Sequence, residues 1–258
     1  MIDRSGNVKA ALRSRQRGFI INPFRFGGGG GGGTDPDFAS VSALLPMTGA
    51  DGSTTFTDII GNTWTPSGNA QIDTALKPFG TGSMLLDGTG DYIETGDSTR
   101  FGFGSGLYTM ECMIYGTTLD SVVGAVFDTR TGSNTGVNLF FGGGNFGQPA
   151  NTIGCSSNTG VLATAGAGVV SNNTWYHLAL VRDTSNVLRC YLDGVQVFSV
   201  TDSRTYASSS TCFIGSDAFG TAAQRFPGSI TQARITKGVC RYPGGTTFTP
   251  PSAPFPTS

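Results

Sequence analysis

The stretch Trp175–Val200, WYHLALVRDTSNVLRCYLDGVQVFSV, decides the fold. It reads as three successive strands. In the first, Trp175, His177, Ala179 and Val181 alternate with Tyr176, Leu178, Leu180 and Arg182. Successive strand side chains point to opposite faces. Both rows are largely apolar, so both faces of this strand are expected to be covered. Trp175, at its head, is expected in the core. Asp183-Thr184-Ser185-Asn186 is turn chemistry. Val187–Leu192 is the second strand. Asp193-Gly194 is a two-residue hairpin signal, because a type I′ turn needs positive φ at both central positions. Val195, Val197 and Val200 supply a β-branched third strand.

Working outward, strands are expected over 39–45, 54–60, 108–115, 122–128, 137–141, 211–215 and 229–236. Short edge elements surround Trp64 over 62–70 and 71–76. The proline-rich tail, Thr249 to Pro256, cannot donate regularly to a ladder and is expected to run extended along the domain surface.

The 258 residues suit one large β-sandwich plus an appendage, and 38% hydrophobic residues suffice for a core. Forty glycines and only 13% charged residues leave a surface of Ser, Thr, Asn and Gly, which suits a protein held in a large assembly. The net charge of −1 hides an asymmetry. Residues 1–26 carry Arg4, Lys9, Arg13, Arg15, Arg17 and Arg25 against Asp3 alone. Their apolar cluster, Phe19, Ile20, Ile21, Phe24 and Phe26, cannot make its own core, so the segment is either disordered or docked on something else. Interleaved arginines and aromatics also fit phosphate neutralisation and base stacking. No nucleic-acid motif accompanies them, so protein docking ranks first and nucleic acid is not expected as a partner. Gly27 to Gly33 is a flexible linker by composition. The arginines are followed by too short an apolar run for a secretory signal, and no segment is long enough to span a bilayer. Cys112, Cys155, Cys190, Cys212 and Cys240 show no metal spacing and are expected to be free. Cys212–Cys240 is the one pairing to check.

Four phrases carry a family resemblance: GSMLLDGTGDYIET (82–95), NTWYHLALVRD (173–183), RCYLDGVQV (189–197) and FPGSITQARITKGVCRYPGGTTFTPPSAPFP (226–256). In that order and spacing they resemble laminin-G-like, concanavalin A-type sandwich domains, in the variety common in tailed bacteriophages and environmental bacteria. The resemblance runs from about Val41 to the C-terminus. Met113 in YTMECMIY (108–115) stands where that family often has Trp, which bears on local packing rather than on the fold. The resemblance implies an all-β, two-sheet antiparallel jelly roll with an extended N-terminal arm. The expected organisation is an anchoring arm (1–26), a glycine-rich linker (27–38) and the laminin-G-like sandwich (39–258).

Fold alone does not give function. Glycoside hydrolysis needs two carboxylates close together, and the related hydrolases carry Glu-Asp-Glu on one strand. Here the two glutamates, Glu94 and Glu111, lie in no such cluster. The sole histidine, His177, has apolar neighbours and reads as structural. No enzyme is expected, and hydrolysis ranks last. Asp87-Gly88-Thr89-Gly90-Asp91 fails the EF-hand pattern and reads as a turn. No cofactor is expected, although the resemblance leaves a structural calcium ion open. Two functions remain. The first is a virion structural protein (capsid decoration, tail or fibre) assembled in the host cytoplasm. Its arm residues Arg13, Arg15, Arg17, Phe19, Ile21, Phe24, Arg25 and Phe26 would bind other virion proteins, and a homo-oligomer is expected. The alternative is a glycan-binding adhesin recognising a host-surface glycan. Phe140, Phe141, Asn145 and Phe146, in a glycine-rich loop, are the candidate sugar contacts; packing of those rings on the sheet edge is the other reading.

Overall fold

The computed structural model describes residues 33–120, 123–130, 135–143, 147–221 and 224–258. Among these, fifteen strands form two antiparallel sheets. The first sheet runs β13 (Val195–Thr201), β12 (Val187–Leu192), β11 (Trp175–Arg182), β6 (Tyr108–Gly116), β15 (Pro227–Lys237), β4 (Ser83–Asp87) and β3 (Gln71–Asp73). β1 (Val41–Leu45) also pairs with β15. The second sheet runs β10 (Gly160–Thr164), β9 (Ala150–Ser157), β8 (Asn138–Gly143), β7 (Gly124–Asp128), β14 (Phe213–Ile214), β5 (Tyr92–Thr95) and β2 (Trp64–Ser67).

The three strands read from Trp175 to Val200 are present and adjacent. Asp193 has φ 48° and Gly194 φ 74°, the positive pair that a type I′ turn requires. The inward row of β11, Leu178 and Leu180, joins Met110, Cys112 and Ile114 of β6. Facing them from the second sheet are Phe127, Leu139, Phe141, Ile153 and Cys155. Burying each large apolar side chain contributes about 1.5–3 kcal/mol, so this interface holds the sheets together.

The outward row of β11 is covered as well. Ala179 and Val181 cluster with Tyr191, Cys240, Leu107, Tyr242 and Phe248. The cover is the C-terminal tail, laid across the outer face of the first sheet. Tyr191 Oη donates to Gly245 O (3.0 Å), and Phe248 N donates to Gly194 O (2.8 Å). Gly194 is needed twice over: its φ is positive, and a Cβ there would stand 2.0 Å from Phe248 O. Gln232, at φ 52° in a bulge of β15, holds the tail's far end. Its Nε2 donates to Pro46 O (3.3 Å), and its Oε1 accepts from Phe255 N (2.9 Å). The described chain begins beside its end, with Asp35 N donating to Ser258 O at 2.8 Å.

Two expectations need correction. Trp175 is only half-buried at the start of its strand, tilted against Tyr115 with ring centroids 5.4 Å apart. Trp64 is the buried tryptophan, its Nε1 donating to Asp58 Oδ2 at 2.9 Å. Residues 54–60 form no strand. Their conformation is organised by the Asp58 carboxylate, which accepts from Leu44 N, Ile60 N, Asn62 Nδ2 and Trp64 Nε1. β4, β5, β9 and β10 are the strands that sequence reading did not assign. The five cysteines are free and buried. Cys212 faces the inter-sheet core and Cys240 lies under the tail, so they cannot pair. Burial pushes the Cys155 thiol up to about 12, leaving it inert. No helix among the described residues is long and apolar enough to cross a membrane.

Candidate functional site

A built polar site lies on the outer face of the second sheet. Phe127, Leu139 and Cys155 point into the core, so Asp128, Asn138 and Ser156 point outward by the two-residue period of a strand. Register aligns them: Asp128 pairs with Asn138, Asn138 with Ser156, and Ser156 with Val161. They form a row across four strands.

Asp128 is fully buried and saturated with donors. Its Oδ1 accepts from Arg130 N (2.8 Å) and Arg130 Nε (3.0 Å). Its Oδ2 accepts from Arg130 Nη2 (2.7 Å), Asn138 Nδ2 (3.0 Å) and Ala218 N (3.0 Å). This forked pairing fixes the guanidinium plane. Arg130 Nη1 then reaches Ser156 Oγ at 3.3 Å. Phe219, 51% exposed, brings its ring centroid to 5.1 Å from the guanidinium carbon.

Beside this pair lies a cavity of about 190 Å³. Val123, Phe140 and Val161 give it an apolar wall, and Arg130, Ser156, Ser157, Gln148 and Gln224 line it with polar groups. Phe140 fits because its neighbour on β9 is Gly154, where a Cβ would meet the ring at 2.5 Å. Concave, part-apolar seats with a few fixed polar groups are the usual form of small-ligand sites.

Of the four residues expected to contact sugar, Phe140 borders this cavity. Phe141 does not: as the next residue of β8 it points the other way, is fully buried, and packs on Phe226 at 5.8 Å. Asn145 and Phe146 lie outside the described residues, as do the arm residues Arg13, Arg15, Arg17, Phe19, Ile21, Phe24, Arg25 and Phe26. Sequence reading missed Asp128, Arg130 and Ser156. The available signal was an acid at a strand end with an arginine two residues on, a spacing that puts both on one face.

The other charged cluster lies under the tail, on the opposite outer face. Glu111 accepts from Arg234 Nε (2.9 Å) and Tyr242 Oη (2.7 Å), and its Oε2 lies 3.2 Å from His177 Nε2. Asp35 accepts from Arg234 Nη1 (3.0 Å) and Arg241 Nη2 (2.8 Å). Burial alone would raise the Glu111 pKa. The Arg234 guanidinium, His177 and Tyr242 outweigh it and hold the carboxyl well below the usual range. Asp35 is likewise lowered against its burial, by Arg241 and the Asp37 amide. His177 is 1% exposed, with the rings of Tyr242, Phe248 and Phe255 edge-on around it, so it is a structural histidine. Neither the Glu111 nor the Asp128 side chain meets solvent.

The Asp87–Asp91 loop is a turn. Asp87 Oδ1 accepts from Thr89 N, and Asp91 accepts from Asn69 N and Asp87 N. Among the described residues no three His, Cys, Asp or Glu side chains converge as a metal site.

Among solved structures, the receptor-binding domain of the botulinum neurotoxin C/D mosaic serotype superposes with a TM-score of 0.54 at 13% identity. It covers 78% of this chain and 49% of that one. The binding domain of Paraclostridial Mosquitocidal Protein 1 gives 0.53 at 13% identity, covering 78% and 50%. The binding domain of botulinum neurotoxin DC, solved in complex with SialylT, gives 0.54 at 11% identity, covering 78% and 49%. This chain thus spans about half the length of these neighbours, and at such identities the likeness is one of fold. No curated protein matches the chain. Residues 87–240, more than half of the sequence, match the laminin G form of the concanavalin A-like lectin/glucanases superfamily, and the chain belongs to that superfamily.

Proposed function

We propose that this protein is a glycan-binding, lectin-like module whose ligand seat is the cavity beside Arg130. The carrying observation is the cavity itself: an apolar wall of Phe140 and Val161 faces hydroxyl and amide groups around a guanidinium held rigid by Asp128. A sugar ring offers the complementary surfaces, one apolar face and a rim of hydroxyls. The fold neighbours named as a receptor-binding domain and a binding domain support this reading. The test is a glycan array with the full chain, followed by Val161→Trp. Val161 is 48% exposed on the edge strand, so a bulky ring there fills the cavity mouth without disturbing the core. Glycan binding that Val161→Trp weakens by about tenfold or more supports the seat. Binding that the substitution leaves unchanged places the ligand elsewhere, and no binding by the full chain removes the reading.

A second proposal concerns the arm: that it attaches the protein to a larger particle, as a virion structural component. Its cationic and aromatic composition supports this. So does the root from which it leaves. Asp35 is bound to Arg234 and Arg241 on the outer face of the first sheet, opposite the cavity on the second. An arm held on one side and a ligand taken on the other do not compete.

A further inference from the structure

We infer that the cavity selects an uncharged sugar residue over a carboxylated or sulfated one. This deepens the glycan-binding reading and rests on it. Among the described residues that line the cavity, Arg130 alone is charged. Taken by itself, a buried arginine reads as an anion receptor. Here its charge is already answered. Asp128, with side-chain exposure of 0%, holds it through a forked pair, and every Asp128 contact reinforces that arrangement.

The Asn138 amide and the Ala218 N–H fill Asp128's remaining acceptor positions. Asp128 therefore has no reason to let Arg130 go, and no lone pair left for a sugar hydroxyl. An incoming carboxylate would be desolvated against a neutral pair, which is unfavourable without a free cation to meet it. An uncharged ring pays no such cost. It can accept from the part of Arg130 Nη1 not committed to Ser156, and it can lay its apolar face on Phe140 and Val161.

The nearby described arginines are engaged elsewhere: Arg204, which reaches Thr159 Oγ1 beside Ser157, is paired with Asp202 at 2.8 Å. Arg225, the charged neighbour of Gln224 in sequence, is turned onto the Tyr92 ring of β5, 4.6 Å away. The flanking residues 121–122, 131–134, 144–146 and 222–223 are Ser, Val, Thr, Gly, Asn, Phe and Ala, so none of them can add a charge.

The experiment compares matched neutral and acidic oligosaccharides on the full chain, at about 50 and about 500 mM NaCl. Neutral glycans are expected to bind at least about tenfold tighter than their uronate, sialate or sulfate counterparts, with affinity changing less than about twofold across the salt range. Asp128→Asn leaves Arg130 uncompensated, and is expected to raise the relative affinity for carboxylated glycans about tenfold and make it salt-sensitive. Wild-type preference for acidic glycans, with steep salt dependence, overturns the inference and leaves the lectin reading standing. Absence of binding to both sets overturns both. If Asp128→Asn does not fold, the wild-type comparison decides alone.

Discussion

Glu111 sits in an environment far from that of an ordinary exposed carboxylate, buried between Arg234, His177 and Tyr242. It and Asp35 both have pKa values depressed below those of the unfolded chain. The stability they contribute is therefore complete above about pH 5 and is lost as the pH falls through and below the ordinary carboxylate range. Urea midpoints measured from about pH 6 to pH 3 should fall for the wild type and fall less steeply for Glu111→Gln. Equal slopes would show that the network is not coupled to folding. The two tryptophans give a second contrast. Trp64 is buried and hydrogen-bonded to Asp58, whereas Trp175 leans on Tyr115 at the sheet's rim. Trp64→Ala is expected to cost about 3–5 kcal/mol and Trp175→Ala about 1 kcal/mol, from denaturant midpoints. The reverse order would mean that the sheet's outer rim, not the Asp58 loop, carries the packing. The sequence favoured Trp175 because it heads an apolar run. Alternation alone does not say how far a strand's first residue lies from its cover.

At the scale of elements, the tail is the cover that the outward apolar row of β11 demanded, the inward row being covered by the second sheet. Deleting residues 239–258 would expose Ala179, Val181 and Tyr191 and leave Glu111 without Tyr242. Each lost aromatic contact is worth about 1.5–3 kcal/mol, so the melting temperature should drop by well over 5 °C, or the protein should aggregate. An unchanged melting curve would mean that the tail is ornamental. The hairpin at Asp193-Gly194 was legible because its φ requirement is written in two residues, and β6, β11 and β12 because their apolar rows are dense. β9 and β10 were not, since ANTIGCSS and GVLAT intersperse Gly, Ser, Asn and Thr among their apolar positions and show no clear alternation, although β9 pairs with the preceding β8 and β10 with β9. The candidate site was legible only at Phe140. Asp128 and Arg130 acquire their meaning from Asn138, Ser156 and Ala218, which the sheet brings together and local sequence does not announce.

At the scale of the molecule, the two outer faces have different work. The first sheet is sealed by the tail, and the second carries the open cavity. If the arm attaches the protein to a particle, deleting residues 1–32 should abolish co-sedimentation with that particle while glycan affinity changes less than about twofold. Loss of both would tie the arm to the ligand site, and retained sedimentation would free it of any anchoring role. The contact between Asp35 and Ser258 has a consequence of another kind. A stretch of chain whose residues Asp35 and Ser258 share a hydrogen bond of 2.8 Å behaves as a closed loop. It can be spliced into an exposed turn of an unrelated protein with only short joints, since the host's two cut ends need hardly separate. By the same token its ends can be sealed and the loop reopened at the Asp183–Asn186 turn, giving a chain of new order around the same two sheets.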